Sequence, residues 1–267
     1  MSKIDELTLA NSKGENITLI KSTASGSLSK AWYNINGKMC LVKGDSMFCY
    51  EPFSEAYASI VADIFKVPHI RYKVDLAAKF SEVEATSKGF VSVCELYSIE
   101  KDYSRISLWD YICEVCRNRV LNPRMLTAND AFSIMLELDK EVIDRIFDIL
   151  YFDAIICNVD RHMNNIELIR DADGCICRAM PVFDCGNSLL YTNSNDWDND
   201  ACSAFKNTHS AQVAQIMENG YTSRINKVND FKVVFENRAK DIFKVDPRKD
   251  IKDRILNFLE ERICRYV

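Results

Sequence analysis

The chain has 267 residues, 48% of them hydrophobic and 27% charged, with a formal net charge of -5. That length and apolar content suit one large domain or two lobes with ample core. The acidic balance disfavours a broad nucleic-acid surface, leaving room only for a local basic patch, and no segment approaches the roughly 18 uninterrupted apolar residues needed to span a bilayer.

In chain order, "MSKIDELTLANSKGENITLI" lacks the apolar run of a signal peptide. "NITLIKS" alternates apolar and polar residues and predicts a strand. "STASGSLSK" is a small, polar loop with one glycine, Gly26, and ends at Lys30. "SKAWYNINGKMCLVKGD" reads as strand, Asn36-Gly37 turn, strand, with Lys43 at the end of the second strand. A helix is expected over "PFSEAYASIVADIF", with Pro52 and Ser54 as start signals and Glu55 in its first turn. "HIRYKVDLAAKF" and "GFVSVCELYSI" predict two further strands.

After about residue 103 the pattern turns helical. "SLWDYICEVCRNRV" and "DKEVIDRIFDILYFDAIICN" predict helices, the second apolar nearly all round and so buried. "NIELIRDADGCICRAMPVFD" returns to strand around an Asp-Ala-Asp-Gly turn. The tail from Ala211 is helical, its last helix placing Ile251, Ile255, Phe258, Leu259 and Ile263 on one face. The expected class is therefore α+β with two lobes. A β-rich N-lobe spans residues 1–97 and a helical C-lobe with an embedded hairpin spans 98–267. A ligand between the lobes is the default expectation. The eleven cysteines are scattered and odd in number, which suits reduced thiols of a cytosolic protein. Cys175 and Cys177 lack a second pair, and with three histidines in the chain a structural zinc site is not expected.

One constellation carries chemistry. Asp160 is followed five positions later by Asn165, then by the predicted hairpin, then by Asp184-Cys185-Gly186. Phosphoryl transfer from ATP uses such a set: a catalytic-loop Asp, an Asn five later, a D-x-G, a strand Lys, a helix Glu and a glycine-bearing loop. The residue types follow from the chemistry. Nucleotide phosphates need cations, here Lys43 and two Mg²⁺ ions, and Mg²⁺ takes hard oxygens such as those of Asp184 and Asn165. Asp160 stays free of metal to take the acceptor's proton. Gly186 gives backbone freedom beside the metal ligand, and Glu55 would fix the direction of Lys43. Singly, each element has an ordinary explanation. Lys43 reads as a solvated lysine, Glu55 as a water-facing helix residue, "SGSLSK" as a loop without a full G-x-G-x-x-G, Asp184-Cys185-Gly186 as a turn, and Arg161 with His162 as a surface pair. Their joint order favours a phosphotransferase.

"NVDRHMNN" followed by "PVFDCGNSL" resembles HipA-type bacterial serine/threonine kinases, above all their short, stand-alone, cell-translocating kind. The D-R-H-x-x-N form is also similar to that of phosphatidylinositol 3- and 4-kinases. "FSEAYASIVADIF" resembles the family's Glu-bearing helix and "MCLVK" its nucleotide-binding strand; the resemblance runs from about Ser22 to Leu190. It implies a two-lobed protein-kinase-like (HipA/PI-kinase-like) fold, ATP and Mg²⁺. It makes Asp160 the base, His162 a γ-phosphate-holding histidine, Asn165 and Asp184 the metal ligands, and Lys43 the phosphate lysine. It also implies that adenine hangs on backbone groups around Cys94, Glu95 and Leu96, with Gly26 and Lys30 in the phosphate loop. By the same resemblance Ser22, Thr23 and Ser25 are candidates for silencing autophosphorylation, because a doubly charged phosphate there would clash with ATP. Ser and Thr equally suit a flexible loop. No room precedes Ser22 for the family's additional N-terminal subdomain, so a HipB-like DNA-binding partner is not expected.

No A-P-E element is present. Asp196, Asp198 and Asp200 suggest a Ca²⁺ loop, but Ala201 and Thr208 stand where such a loop needs Gly and Glu. A solvated acidic loop that could attract a basic substrate is expected instead. Three activities stay open: a Ser/Thr protein kinase, a lipid kinase, which the net charge disfavours, and a nucleotide-binding pseudokinase. A cytoplasmic location is expected, with export lacking a cleavable signal left open.

Overall fold

A computed structural model describes residues 16–23, 28–46, 49–84, 89–192, 200–202 and 204–267, the side chains of 22 and 23 excepted. Gly26, Ser25 and the acidic residues 196 and 198 lie outside the described residues, as do the side chains of Ser22 and Thr23.

Asn36 and Gly37 both have positive φ, 53° and 87°. That is the geometry a tight two-residue hairpin turn demands, and the reason Asn-Gly is favoured there. The turn joins β2 (Lys30–Ile35) to β3 (Lys38–Lys43), and β1 (Ile17–Thr23) pairs with β2 on the far side. Helix α1 (Glu51–Phe65) follows, then β4 (Tyr72–Leu76) and β5 (Phe90–Glu95). These strands form one antiparallel sheet in the order β1-β2-β3-β5-β4. Its outer face carries a small core of Ala31, Tyr33, Val42, Val91 and Val93 beneath Phe80 and Val83.

The second part contains β6 (Ser104–Ser107), α2 (Leu108–Asn118), α3 (Ala128–Met135) and α4 (Lys140–Ile156). Then come β7 (Glu167–Arg170), β8 (Ile176–Ala179), α5 (His209–Glu218), α6 (Phe231–Val245) and α7 (Ile251–Tyr266). The expected hairpin is β7–β8, and its Asp-Ala-Asp-Gly turn is closed by Asp171, whose Oδ1 accepts from the amides of Asp173 and Cys175 at 3.0 and 2.9 Å. Two elements escaped the sequence pattern. β6 adds a third strand to the hairpin, in the order β6-β7-β8; four residues are too few to show a period. α3, of eight residues, spans little more than two turns, and it is started by a reciprocal capping box between Thr127 and Asp130.

The larger core runs through both parts. Helix α1 is buried along most of its length, and its residues belong to the same apolar cluster as α4 and the tail helices. Phe65 stacks on Phe231 and Tyr57 packs on Phe235 and Phe243, so α6 covers α1. Ile251, Ile255, Leu259 and Ile263 are buried as their spacing predicts, with Phe258 only partly so. Asp200 is not part of a solvated loop: its carboxylate accepts from Arg262 Nη1 and from the Tyr266 hydroxyl, both at 3.0 Å. All eleven cysteines are unpaired thiols. Among the described residues no helix is long and apolar enough to cross a membrane and no His, Cys, Asp or Glu cluster is arranged to hold a metal by itself.

Candidate active site

Helix α4 ends in "ILYFDAII", an apolar run interrupted by one acid, Asp153, which is 1% exposed. A buried carboxylate needs partners, and the loop that follows supplies them. Arg161, wholly buried, donates through Nε to Asp153 Oδ2 at 2.8 Å and through Nη2 to Oδ1 at 3.2 Å. Asn158 Nδ2 adds a third bond at 3.0 Å. The remaining reach of Arg161 goes to backbone: Nη1 donates to the carbonyls of Asn165 and Phe183 at 2.8 and 2.6 Å. One guanidinium therefore pins the loop after α4 to the segment leading into Asp184-Cys185-Gly186. Arg161 is not half of a surface pair, as the sequence alone allowed.

That pin brings the two acids of the motif to one cleft. The cleft has a volume of about 490 Å³, and Lys30, Lys43, Asp160, His162, Asn165 and Asp184 all line it. Lys43 is buried where the sequence left it free to be solvated. Its Nζ lies 2.5 Å from Glu55 Oε1 and 2.6 Å from Asp184 Oδ1. Glu55 is 1% exposed, and its other oxygen accepts from the Cys185 amide at 2.9 Å. Burial would lower the Lys43 ammonium, but Glu55 and Asp184 outweigh it and hold it charged, above the ordinary lysine range. Burial would raise the Asp184 carboxyl, but Lys43, Arg161 and Lys30 pull it below the ordinary range. Burial dominates at Glu55 and lifts it against the pull of Lys43. Lys30 faces Lys43 across the strand pair, and burial together with that like charge lowers it.

Asp160 sits at the mouth with its Oδ2 accepting from Asn187 Nδ2 at 2.9 Å. Its amide donates to Asn158 Oδ1 at 3.2 Å, and its carbonyl accepts from His162 N at 2.9 Å and Asn165 Nδ2 at 3.2 Å. That bond takes one Nδ2 hydrogen, and Asn165 keeps the lone pairs of Oδ1 to offer a ligand. His162 Nδ1 is buried with no hydrogen-bond partner among the described residues.

The glycine of the motif acts differently from expectation. Asp184 itself is in the left-handed region, φ 56°, which Asp tolerates better than most residues. Gly186 is required by a close approach: a Cβ there would lie 3.0 Å from Glu51 Cβ. Glu51 also lines the cleft and was missed by the sequence reading. Its carboxylate is held by the amide and hydroxyl of Ser46, and burial lifts it above the usual range. Asn187 was missed too, although it follows the D-x-G directly. Asp153 carried a usable signal, a lone acid in the apolar run that ends α4.

At the end of β5, Cys94 is buried, Glu95 is exposed and pairs with Lys38 at 2.6 Å, and the Leu96 amide donates to the Met39 carbonyl at 2.8 Å. The Leu96 N–H is thus part of the sheet and is not free for a base edge. The Ser29 hydroxyl accepts from the Glu84 amide at 3.0 Å.

No protein-family model matches the chain, and no curated protein matches it in sequence. Solved structures do. The crystal structure of the Helicobacter pylori proinflammatory kinase CtkA superposes with a TM-score of 0.64 over 94% of this chain and 93% of that one, at 14% identity. HipA of Shewanella oneidensis MR-1, solved as a toxin–antitoxin complex with HipB and operator DNA, superposes with a TM-score of 0.53 at 13% identity, over 99% of this chain and 71% of that one. At these identities the likeness is one of fold: a kinase-like architecture with an antiparallel sheet first and helices after.

Proposed function

We propose that the chain is an ATP- and Mg²⁺-dependent protein kinase that transfers the γ-phosphate to a Ser or Thr hydroxyl. The observation that carries this is the convergence of Lys43, Asp160, Asn165 and Asp184 on one cleft, with Lys43 held at 2.5 Å from the buried Glu55 and 2.6 Å from Asp184. A nucleotide-binding protein without activity has no use for Asp160 at the mouth, oriented by Asn187.

The cleft fits the nucleotide and metal by its donor set. Asp184 and Asn165 offer the hard oxygens Mg²⁺ takes, Lys43 and Lys30 offer positive charge for phosphates, and the unpartnered His162 Nδ1 offers a hydrogen bond. The metal ions, when bound, neutralise charge that develops on the transferring phosphoryl group. Lys43 holds the phosphates and is aimed by Glu55. Asp160 positions the acceptor hydroxyl and takes its proton. Autophosphorylation of Ser22, Thr23 or Ser25, and work in a reducing cytosol, belong to the same proposal.

Incubation with radiolabelled ATP and Mg²⁺ tests it. Label should pass to the chain itself or to casein, and Asp160→Ala should abolish transfer while ATP still raises the melting temperature. Label appearing only in phosphoinositide vesicles would replace the protein acceptor with a lipid. Thermal stabilisation by ATP with no transfer would leave a binding module. Peptide mass spectrometry should place any autophosphate within residues 22–29; phosphate found only in the tail would sink that part.

A further inference from the structure

Leu189 and Leu190 follow the D-C-G-N-S stretch, and both have left-handed backbone, φ 46° and 61°. Such a conformation is strained for a residue with a side chain and persists only where its surroundings impose it. The surroundings are specific. The Leu189 amide donates to Ile156 at 3.0 Å, and the Val159 amide, next to Asp160, donates to Asn187 at 3.1 Å. The Tyr50 amide donates to Tyr191 at 2.6 Å. The Leu190 carbonyl accepts from Arg248 Nη1 at 2.5 Å.

Arg248 comes from the connection between α6 and α7, far along the chain. Its side chain is 1% exposed. Nε and Nη2 pair with Asp246 at 2.9 and 2.6 Å, and the guanidinium lies 4.6 Å from the Tyr50 ring centroid and 5.8 Å from that of Phe53. Asp246 also accepts from the Tyr57 hydroxyl at 3.1 Å. Tyr50 precedes α1, and Phe53 and Tyr57 lie on it, the helix that carries Glu55. One side chain thus touches the strained turn behind Asp160 and the helix behind Lys43.

We propose that Arg248 is a positioning residue for phosphoryl transfer, holding the Leu189–Leu190 turn and through it the Asn187–Asp160 hydrogen bond. The assignment rests on the kinase reading above. Stability alone is a poor reason for the arrangement, because a buried ion pair is commonly replaced by apolar residues without loss. A planar fork that reaches Asp246, a carbonyl and two ring faces at once is a geometric device, and lysine cannot copy it.

The test uses the full chain with Mg²⁺-ATP and casein. Arg248→Lys keeps a charge for Asp246 and loses the fork. Tyr57→Phe removes a hydrogen bond from the same cluster without touching the turn. Arg248→Lys is expected to lose about tenfold or more in kcat with KM for ATP changed by less than about threefold, whereas Tyr57→Phe keeps kcat and only melts lower. Should the lysine variant not fold, the double variant Asp246→Leu/Arg248→Met, which leaves no unpaired buried charge, is read in the same way. An active wild type whose Arg248 variant keeps kcat overturns the assignment alone, as does a loss of kcat in both variants that merely tracks melting temperature. A wild-type chain that transfers no phosphate overturns the kinase reading and this assignment with it.

Discussion

Asn187 donates to Asp160 Oδ2 at 2.9 Å, and that bond decides which carboxylate oxygen faces an acceptor. A hydrogen bond to a charged group is worth enough that Asn187→Ala should lower kcat by roughly tenfold, with ATP affinity unchanged. Steady-state kinetics at varied ATP would show it; a rise in KM alone would mean that Asn187 serves binding instead. Gly186 works by size. Its Cβ would meet Glu51 Cβ at 3.0 Å, so Gly186→Ala should destabilise by about 1–3 kcal/mol, the usual range for overpacking. Denaturant unfolding measures this, and an unchanged midpoint would show that Glu51 moves aside freely. Gly186 was readable in the sequence as part of the D-x-G, and Asn187 was not singled out. The reason for the glycine was not readable, because a close approach to Glu51 leaves no mark near Gly186 in the chain.

Elements are joined here by buried arginines. Arg161 ties α4 to the catalytic loop and to Phe183, while Arg262 in α7 donates to the Ala154 carbonyl at 2.8 Å through Nε. Breaking a buried pair leaves a charge behind, and the cost is about 3–5 kcal/mol, so Arg161→Leu should unfold at much lower denaturant than wild type. Asp153→Leu/Arg161→Leu should recover most of that stability, since no charge is stranded, yet remain inactive because Asn165 and Phe183 lose their common anchor. A double variant that regained transfer would reduce Arg161 to a stability role. Helix α1 is likewise fixed from outside. The Ile70 amide bonds to Val182 at 2.7 Å, the Cys185 amide bonds to Glu55 at 2.9 Å, and α6 covers its apolar face. Its existence was evident from Pro52 and the spacing of its apolar residues, whereas its near-complete burial depends on tail residues far away in sequence.

At the scale of the whole molecule, pH stability should report on the tail. His209 is fully buried, and burial first, then the nearby Arg262, hold its pKa down to about 4, with Asp200 opposing. It is therefore neutral in the fold and protonates on unfolding below its ordinary value of 6.5. Between those two values the unfolded state binds the extra proton, so stability falls as pH falls through this window, by roughly 3 kcal/mol in all. Asp200 stays ionised through that range: its carboxylate, held down to about 2 against burial by Ser210, Tyr266 and Arg262, loses its contribution only at lower pH. Melting curves from pH 7 to pH 4 should decline less steeply for His209→Gln than for wild type. Parallel curves would place the acid sensitivity elsewhere.

What the sequence by itself determined is what short range can encode. Asn36-Gly37 specifies a hairpin, alternation specifies the strands, and a fixed spacing sets Asp160, Asn165 and Asp184 on either side of β7–β8. The turn and the strands are set within a few residues, and the hairpin spans the gap between Asp160 and Asp184, so local sterics and periodicity suffice. Tertiary structure alone decided that β6 joins that hairpin, that Asp200 is enclosed by α7, that Leu96 spends its amide within the sheet, and that Arg248 meets Leu190 from 58 residues away. A charged side chain reads as solvated until the fold supplies its partner, and partners so distant meet only when the elements that carry them pack together.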